Sequence, residues 1–139
     1  MPSIAELNKA VVRRFNEEFI ARGDEAVLEE LLHPEFVNRT AAPGVDPGIE
    51  GMRQMVKGVL HRALSDIRVV IEDQIAEGDR VASRKRILGR HTGELLGVPA
   101  TGRPVELVVF DIVRLDGGKY LEHWGLNTLP ILAQQLRGR

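Results

Sequence analysis

Apolar residues recur at helical intervals in the first part of the chain and alternate with polar ones in the second. Ile4, Leu7, Val11, Phe15 and Phe19 fall three or four residues apart and predict one amphipathic helix. Ser3 stands ahead of it with Glu6 three residues on, the spacing of a capping box. Arg22-Gly23-Asp24 ends that helix, and Asp24 is placed to cap a second one carrying Val27, Leu28, Leu31 and Leu32. His33-Pro34 closes it, because a proline disfavours a helical residue before it. After a short apolar piece, Phe36-Val37, the run from Ala41 to Gly48 holds two Pro and two Gly and reads as a loop. A third helix is predicted over 49–63, with Met52, Val56, Val59 and Ala63 on one face.

Past Ser65-Asp66 the period becomes two. Ile67, Val69, Ile71 and Ile75 predict a strand with an irregularity near Asp73. Further strands are predicted over 81–91, 105–115 and 120–126, with turns at Glu77-Gly78-Asp79-Arg80 and Asp116-Gly117-Gly118 and a Gly/Pro loop over 95–104. Residues 129–136 suit a short closing helix with Pro130 in its first turn. Helices first and antiparallel strands afterwards indicate a single α+β domain over 1–139, not a βαβ sheet. A curved sheet wrapped over the helices would bury both patterns and leave a pocket between them.

Composition narrows the chemistry. The chain has 139 residues, enough for a self-sufficient core. Lys plus Arg is 19 and Asp plus Glu is 20, so no excess of positive charge exists to hold a nucleic acid or an anionic membrane surface. With no Cys, a thiolate nucleophile, an iron–sulfur cluster and a Cys-ligated zinc are excluded. No apolar run approaches a membrane span and the N-terminus lacks the blocks of a secretory signal, so a cytoplasmic protein is expected. There is no GxSxG, GxGxxG or GxxxxGK[ST] motif, and no closely spaced His pair to support a metal site.

Candidate chemistry gathers near the C-terminus. In a strand, Glu122 and Trp124 share one face and His123 takes the other, so either Glu122 or His123 points into the pocket as an acid/base. Asn127 lies just beyond. Arg84 and Arg86 share a face opposite Ser83, Lys85 and Ile87; they form either a solvated or dimer-facing edge or a cationic lining for an enolate-like ligand. Asp111 and Arg114 lie on opposite faces of the next strand, and the hairpin register decides which meets Glu122. His33 and His61 read as surface residues, and Leu107-Val108-Val109 as a sheet-to-sheet contact between copies.

Two stretches carry a family likeness. One is Glu77-Gly78-Asp79-Arg80-Val81-Ala82-Ser83-Arg84 with the loop Gly89-Arg90-His91-Thr92-Gly93-Glu94-Leu95-Leu96-Gly97-Val98-Pro99-Ala100-Thr101-Gly102-Arg103-Pro104-Val105. The other is Phe110-Asp111-Ile112-Val113-Arg114 with Gly118-Lys119-Tyr120-Leu121-Glu122-His123-Trp124 and a closing Gln134-Gln135-Leu136. Together they resemble the SnoaL-like polyketide cyclase (ester cyclase) family of the NTF2-like superfamily, over nearly the whole chain. The resemblance implies an α+β cone with a deep pocket, a homodimer, and cofactor-free acid/base chemistry without a metal. The reaction implied is intramolecular aldol cyclisation or isomerisation of a small, apolar, carbonyl-containing molecule. Glu122, His123, Asn127 and Asp111 are then the catalytic candidates. Trp124, Arg84, Arg86, Arg114, Phe110, Asn38 and His91 are candidates for lining the substrate site.

The chain departs from the family pattern in three places. Asn127, or Thr128 beside it, stands where the family's acid/base Asp is expected, and an amide cannot be a general base. No His occurs near Asn38-Arg39-Thr40, and Arg90 stands where Thr is usual. The alternative reading is therefore a non-catalytic binding module that kept the cone and lost the base.

Overall fold

The capping-box spacing at the N-terminus forms the expected contact. In the computed structural model, which describes residues 1–138, Ser3 caps helix α1 (Ile4–Arg14) by accepting the Glu6 amide at 3.1 Å. The helix runs on through Phe15–Ala21 with a wider, π-type turn. Val12, Phe15 and Phe19 are buried, whereas Ile4 and Leu7 at its start face solvent. The buried stripe takes in two asparagines instead, Asn8 and Asn16. An amide inside a core costs free energy unless it is bonded. Asn16 meets that demand: its Nδ2 donates to the Val12 carbonyl at 2.8 Å, and its Oδ1 accepts from Lys85 Nζ at 2.6 Å. Asp24 caps α2 (Glu25–Leu31) through the Ala26 amide at 3.0 Å.

Strand β1 (Leu32–Asn38) follows at once. Helix α3 (Ile49–Arg53) passes through a second π-type segment, Gln54–Leu60, into the single turn α4 (His61–Ala63). Four strands come next, β2 (Leu64–Glu77), β3 (Arg80–His91), β4 (Pro104–Asp116) and β5 (Lys119–Asn127), and then α5 (Leu129–Arg137). The sheet order is β1-β5-β4-β3-β2. All pairings are antiparallel except β1 with β5, which are parallel. A long connection frees β1 from the antiparallel pairing that a hairpin imposes, and Pro34 is tolerated there because β1 is an edge strand. The architecture is the α+β, NTF2-like arrangement, with helices on one face of an unclosed sheet.

The alternation inside each strand sets the two faces. Val81, Ser83, Lys85 and Ile87 on β3 and Leu107, Val109, Asp111, Val113 and Leu115 on β4 are buried toward the helices. Leu107 and Val109 therefore belong to the core and only Val108 turns outward, so this segment is not the apolar outer strip anticipated from its composition. The register breaks between Ile71 and Asp73 in β2, at the anticipated irregularity. Another break lies in β5: Leu115 pairs with Tyr120 and Arg114 with Glu122, leaving Leu121 as an extra residue. His33, which falls in β1, and His61, which opens α4, are only partly exposed. His61 Nε2 lies 2.7 Å from the Ile20 carbonyl, and His33 Nε2 lies 3.5 Å from Asp116 Oδ2. Among the described residues no helix is long and apolar enough to cross a membrane.

Candidate active site

The inner sheet face and the helices enclose a cavity of about 330 Å³. Its body is apolar, with Phe15, Ile20, Val56, Leu60, Ile87 and Leu107 among its walls, and Met52, Met55 and Val45 beside the loop after β1. Polar groups gather where β3, β4, β5 and β1 pass one another, and Asn38, Lys85, Asp111 and His123 all contribute to the lining there.

Their meeting follows from register. Asp111 is paired with Gly125 and Val113 with His123, so His123 and Asp111 are diagonal neighbours on the inner face. Ser83 opposes Asp111 and Lys85 opposes Val109, which puts Lys85 on the other diagonal. Asn38 is aligned with His123 across the parallel pair. The side chains then form a chain of contacts. Asn16 Oδ1 holds Lys85 Nζ at 2.6 Å, and that nitrogen lies 3.3 Å from Asp111 Oδ2. Asp111 Oδ2 is also 3.3 Å from His123 Nε2, and His123 Nδ1 is 3.0 Å from Asn38 Oδ1. Asn38 Oδ1 accepts the Thr40 amide and hydroxyl as well, both at 3.2 Å. An oxygen so placed is an acceptor, so His123 Nδ1 carries the hydrogen of that contact, and Nε2 is the ring nitrogen turned to Asp111.

Gly125 makes the contact possible. A Cβ there would sit 2.7 Å from the His123 ring, which is closer than atoms pack. Burial opposes the Asp111 charge. The Lys85 ammonium and then the hydrogen bond and charge of His123 outweigh it, and hold this carboxyl below its ordinary range. Among the described residues Asp111 Oδ1 is buried without a partner, as is Ser83 Oγ on the facing position of β3. An anionic carboxylate with a free oxygen beside a histidine is a proton-transfer pair, and an ammonium behind it adds positive charge at the same end of an apolar chamber.

The structure separates the residues singled out in the sequence. Asn38, Asp111, His123 and Asn127 line the cavity. Glu122, Trp124, Arg84, Arg86, Arg114 and Phe110 instead lie on the sheet face turned away from the helices. Glu122 is tied to Arg114 at 2.6 Å and Arg39 at 2.8 Å, Arg84 to Asp73, and Arg86 to Glu72 and Glu106. Trp124 lies under the Arg80 guanidinium at 5.5 Å. The reason is the pairing of Arg114 with Glu122 and of Ile112 with Trp124, which commits the whole alternating set to one side. His91 is fully buried at the end of β3, its Nδ1 accepting the Thr101 amide at 3.2 Å. Asn127 sits at the cavity's rim, where its Oδ1 accepts the Leu129 amide at 2.9 Å and so starts α5. Lys85, Asn16, Thr40 and Tyr120 were not among the candidates. Lys85 had a sequence signal, because it alternates in step with Val81 and Ile87.

The model for SnoaL-like polyketide cyclases matches residues 10–136 of this sequence. The chain belongs to the SnoaL-like polyketide cyclase family. It is 30% identical over 98 residues to the nogalonic acid methyl ester cyclase of Streptomyces nogalater, an alignment covering 69% of this chain and 72% of that protein. It is 30% identical over 116 residues to an aklanonic acid methyl ester cyclase of Streptomyces peucetius, covering 81% and 79%. Among solved structures, TsrD from Streptomyces laurentii superposes with a TM-score of 0.81 at 31% identity, over 94% of each chain. Wild-type IdmH from Streptomyces antibioticus superposes at 0.79 with 26% identity, covering 95% of this chain and 99% of that one. In this SnoaL-like chain the cavity has a carboxylate although position 127 is an amide: Asp111 supplies it from the neighbouring strand.

Proposed function

We propose that the chain is a polyketide-cyclase-type enzyme that removes an acidic proton beside a carbonyl of a largely apolar ester. The resulting enolate carbon attacks a second carbonyl of the same molecule. One carbon–carbon bond forms, the new alkoxide takes the proton back, and the product is an isomer of the substrate, so the step balances without oxidant or reductant. Isomerisation through the same enolate is the shorter version of this chemistry. The carrying observation is the His123–Asp111–Lys85 cluster at the polar end of an apolar chamber. The Asp111 carboxylate, held ionised beside His123 and Lys85, is the proton acceptor, and the apolar walls fold the substrate so that its two carbonyls approach.

The methyl esters named for the two relatives, nogalonic and aklanonic acid methyl ester, are the first substrates to try. Ring closure by the wild type, with turnover lowered about a hundredfold or more in both H123Q and D111N, is the expected result. Full turnover in both variants would remove the assignment. Thermal stabilisation of the wild type by either ester with no product formed would leave a binding module.

The outer sheet face supports a second, structural proposal. Ile75, Phe110, Ile112 and Leu126 are exposed there, at 69%, 56%, 41% and 78%. Around them Arg84, Arg86 and Arg114 are already paired with acids of the same face. An apolar centre within a rim of internally neutralised charge suits an identical face, which brings no net charge to repel it. A dimer in sedimentation that L126K converts to monomer is expected; a wild-type monomer at micromolar concentration would contradict it.

A further inference from the structure

The extra residue in β5 changes what the cavity contains. Strict alternation would place Tyr120 on the face of Glu122 and Trp124, away from His123. Leu121 is unpaired, so the strand is re-phased and Tyr120 and His123, three positions apart, both line the cavity. Tyr120 is 2% exposed and its ring packs on Phe15 with centroids 4.5 Å apart. The hydrogen bonds that tie Asn16, Lys85, Asp111, His123 and Asn38 together do not reach its hydroxyl. Among the described residues no side-chain hydrogen bond engages this hydroxyl, and a phenol that lines a cavity has room for a ligand oxygen as its acceptor.

We propose that the Tyr120 hydroxyl is the hydrogen-bond donor that holds the substrate's carbonyl oxygen while it becomes an enolate. Burial, and then the nearby Asp111 charge, push the phenol well above its usual range, so it stays protonated and can donate. An oxygen that gains negative charge at this point receives a bond stronger than a neutral carbonyl would, which favours the transition state over the bound substrate. The substrate class that follows is an enolisable carbonyl compound whose enolate oxygen lies beside β5. The inference rests on the cavity being the reaction site, as proposed above.

The test uses β-naphthol, whose ionised form has the shape and charge of a planar enolate, with naphthalene as its control. Affinities are measured by fluorescence for the wild type, Y120F and H123Q, and the ionisation of bound β-naphthol by absorbance against pH. Y120F keeps the ring that packs on Phe15, and chemical denaturation of the variant checks that it folds. The wild type should bind β-naphthol at least about tenfold tighter than naphthalene and ionise it at lower pH than water does. In Y120F the preference should fall to within about twofold and the ionisation shift should be lost, with naphthalene affinity unchanged. A preference that survives in Y120F and vanishes in H123Q overturns the Tyr120 assignment and leaves the cavity reading intact. Equal binding of the two probes to the wild type overturns it as well. Failure of either probe to bind overturns both proposals together.

Discussion

Replacing Lys85 by Met removes the cation from a contact in which both side chains are only 5% exposed. At 3.3 Å and an effective dielectric of about 20, the attraction to Asp111 is about 5 kcal/mol. Part of that offsets the cost of burying the two charges, and leaving one partner of a buried pair alone costs about 3–5 kcal/mol. For a domain of this size that lowers Tm by about 10–20 °C. The sign of the pH dependence follows from Asp111. Its carboxyl is depressed in the folded state, so its stabilisation is present above the unfolded value of about 4 and is lost as pH falls through the folded value. In K85M burial is opposed by His123 without the Lys85 charge, so the carboxyl takes up a proton at higher pH than in the wild type. Urea unfolding of both proteins at one concentration should show the widest gap near pH 7, narrowing as pH falls through the raised titration of the K85M carboxyl. The double variant K85M/D111N should recover part of the loss, because it strands no charge. A K85M cost under about 1 kcal/mol, or a gap that stays constant across that pH range, would mean that the pair does not hold the carboxylate as described.

Two further outcomes follow from particular contacts. Gly125→Ala puts a methyl 2.7 Å from the His123 ring and 3.5 Å from Asp111 Cβ. It should displace the ring from Asp111, cost about 1–3 kcal/mol in denaturation and shift the His123 imidazole resonances, whereas unmoved resonances would show that the glycine is incidental. Ser3→Ala removes the side-chain oxygen that accepts the Glu6 amide. It should cost about 1 kcal/mol by urea unfolding and leave turnover unchanged.

Much of the fold is legible in the sequence because its elements announce themselves locally. The period change after Asp66, the caps at Ser3 and Asp24 and the glycine turns at Gly78 and Gly117-Gly118 each act within a few residues. The partners of β1 are not local, and nothing in Phe36-Val37 says that it lies parallel to a strand more than eighty residues away. In the site, Asp111 and Lys85 are legible by alternation, since each is a charge set among buried positions: Leu107, Val109 and Val113 around one, Val81 and Ile87 around the other. The same alternation, applied without a bulge, hides Tyr120. It does place His123 opposite Glu122 and Trp124, and only the register with β4 tells which side is the inner one. Arg84 and Arg86 look chemically conspicuous in the sequence, yet the structure gives them acids on the outer face. Asn16 could not be singled out, because a polar residue in a helix gains meaning only from Lys85, 69 positions away.

The exchange of a single carbon-bound proton tests most directly whether this chamber performs enolate chemistry. In deuterium oxide, NMR follows loss of the acidic protons of β-tetralone, a fused-ring ketone whose enol has nearly the shape of β-naphthol. The wild type should accelerate exchange above buffer, β-naphthol should suppress the acceleration competitively, and H123Q and D111N should each lower it by about a hundredfold. Exchange that is no faster than in buffer, or equally fast in the wild type and both variants, would contradict the assignment of His123 and Asp111 as the proton-transfer pair.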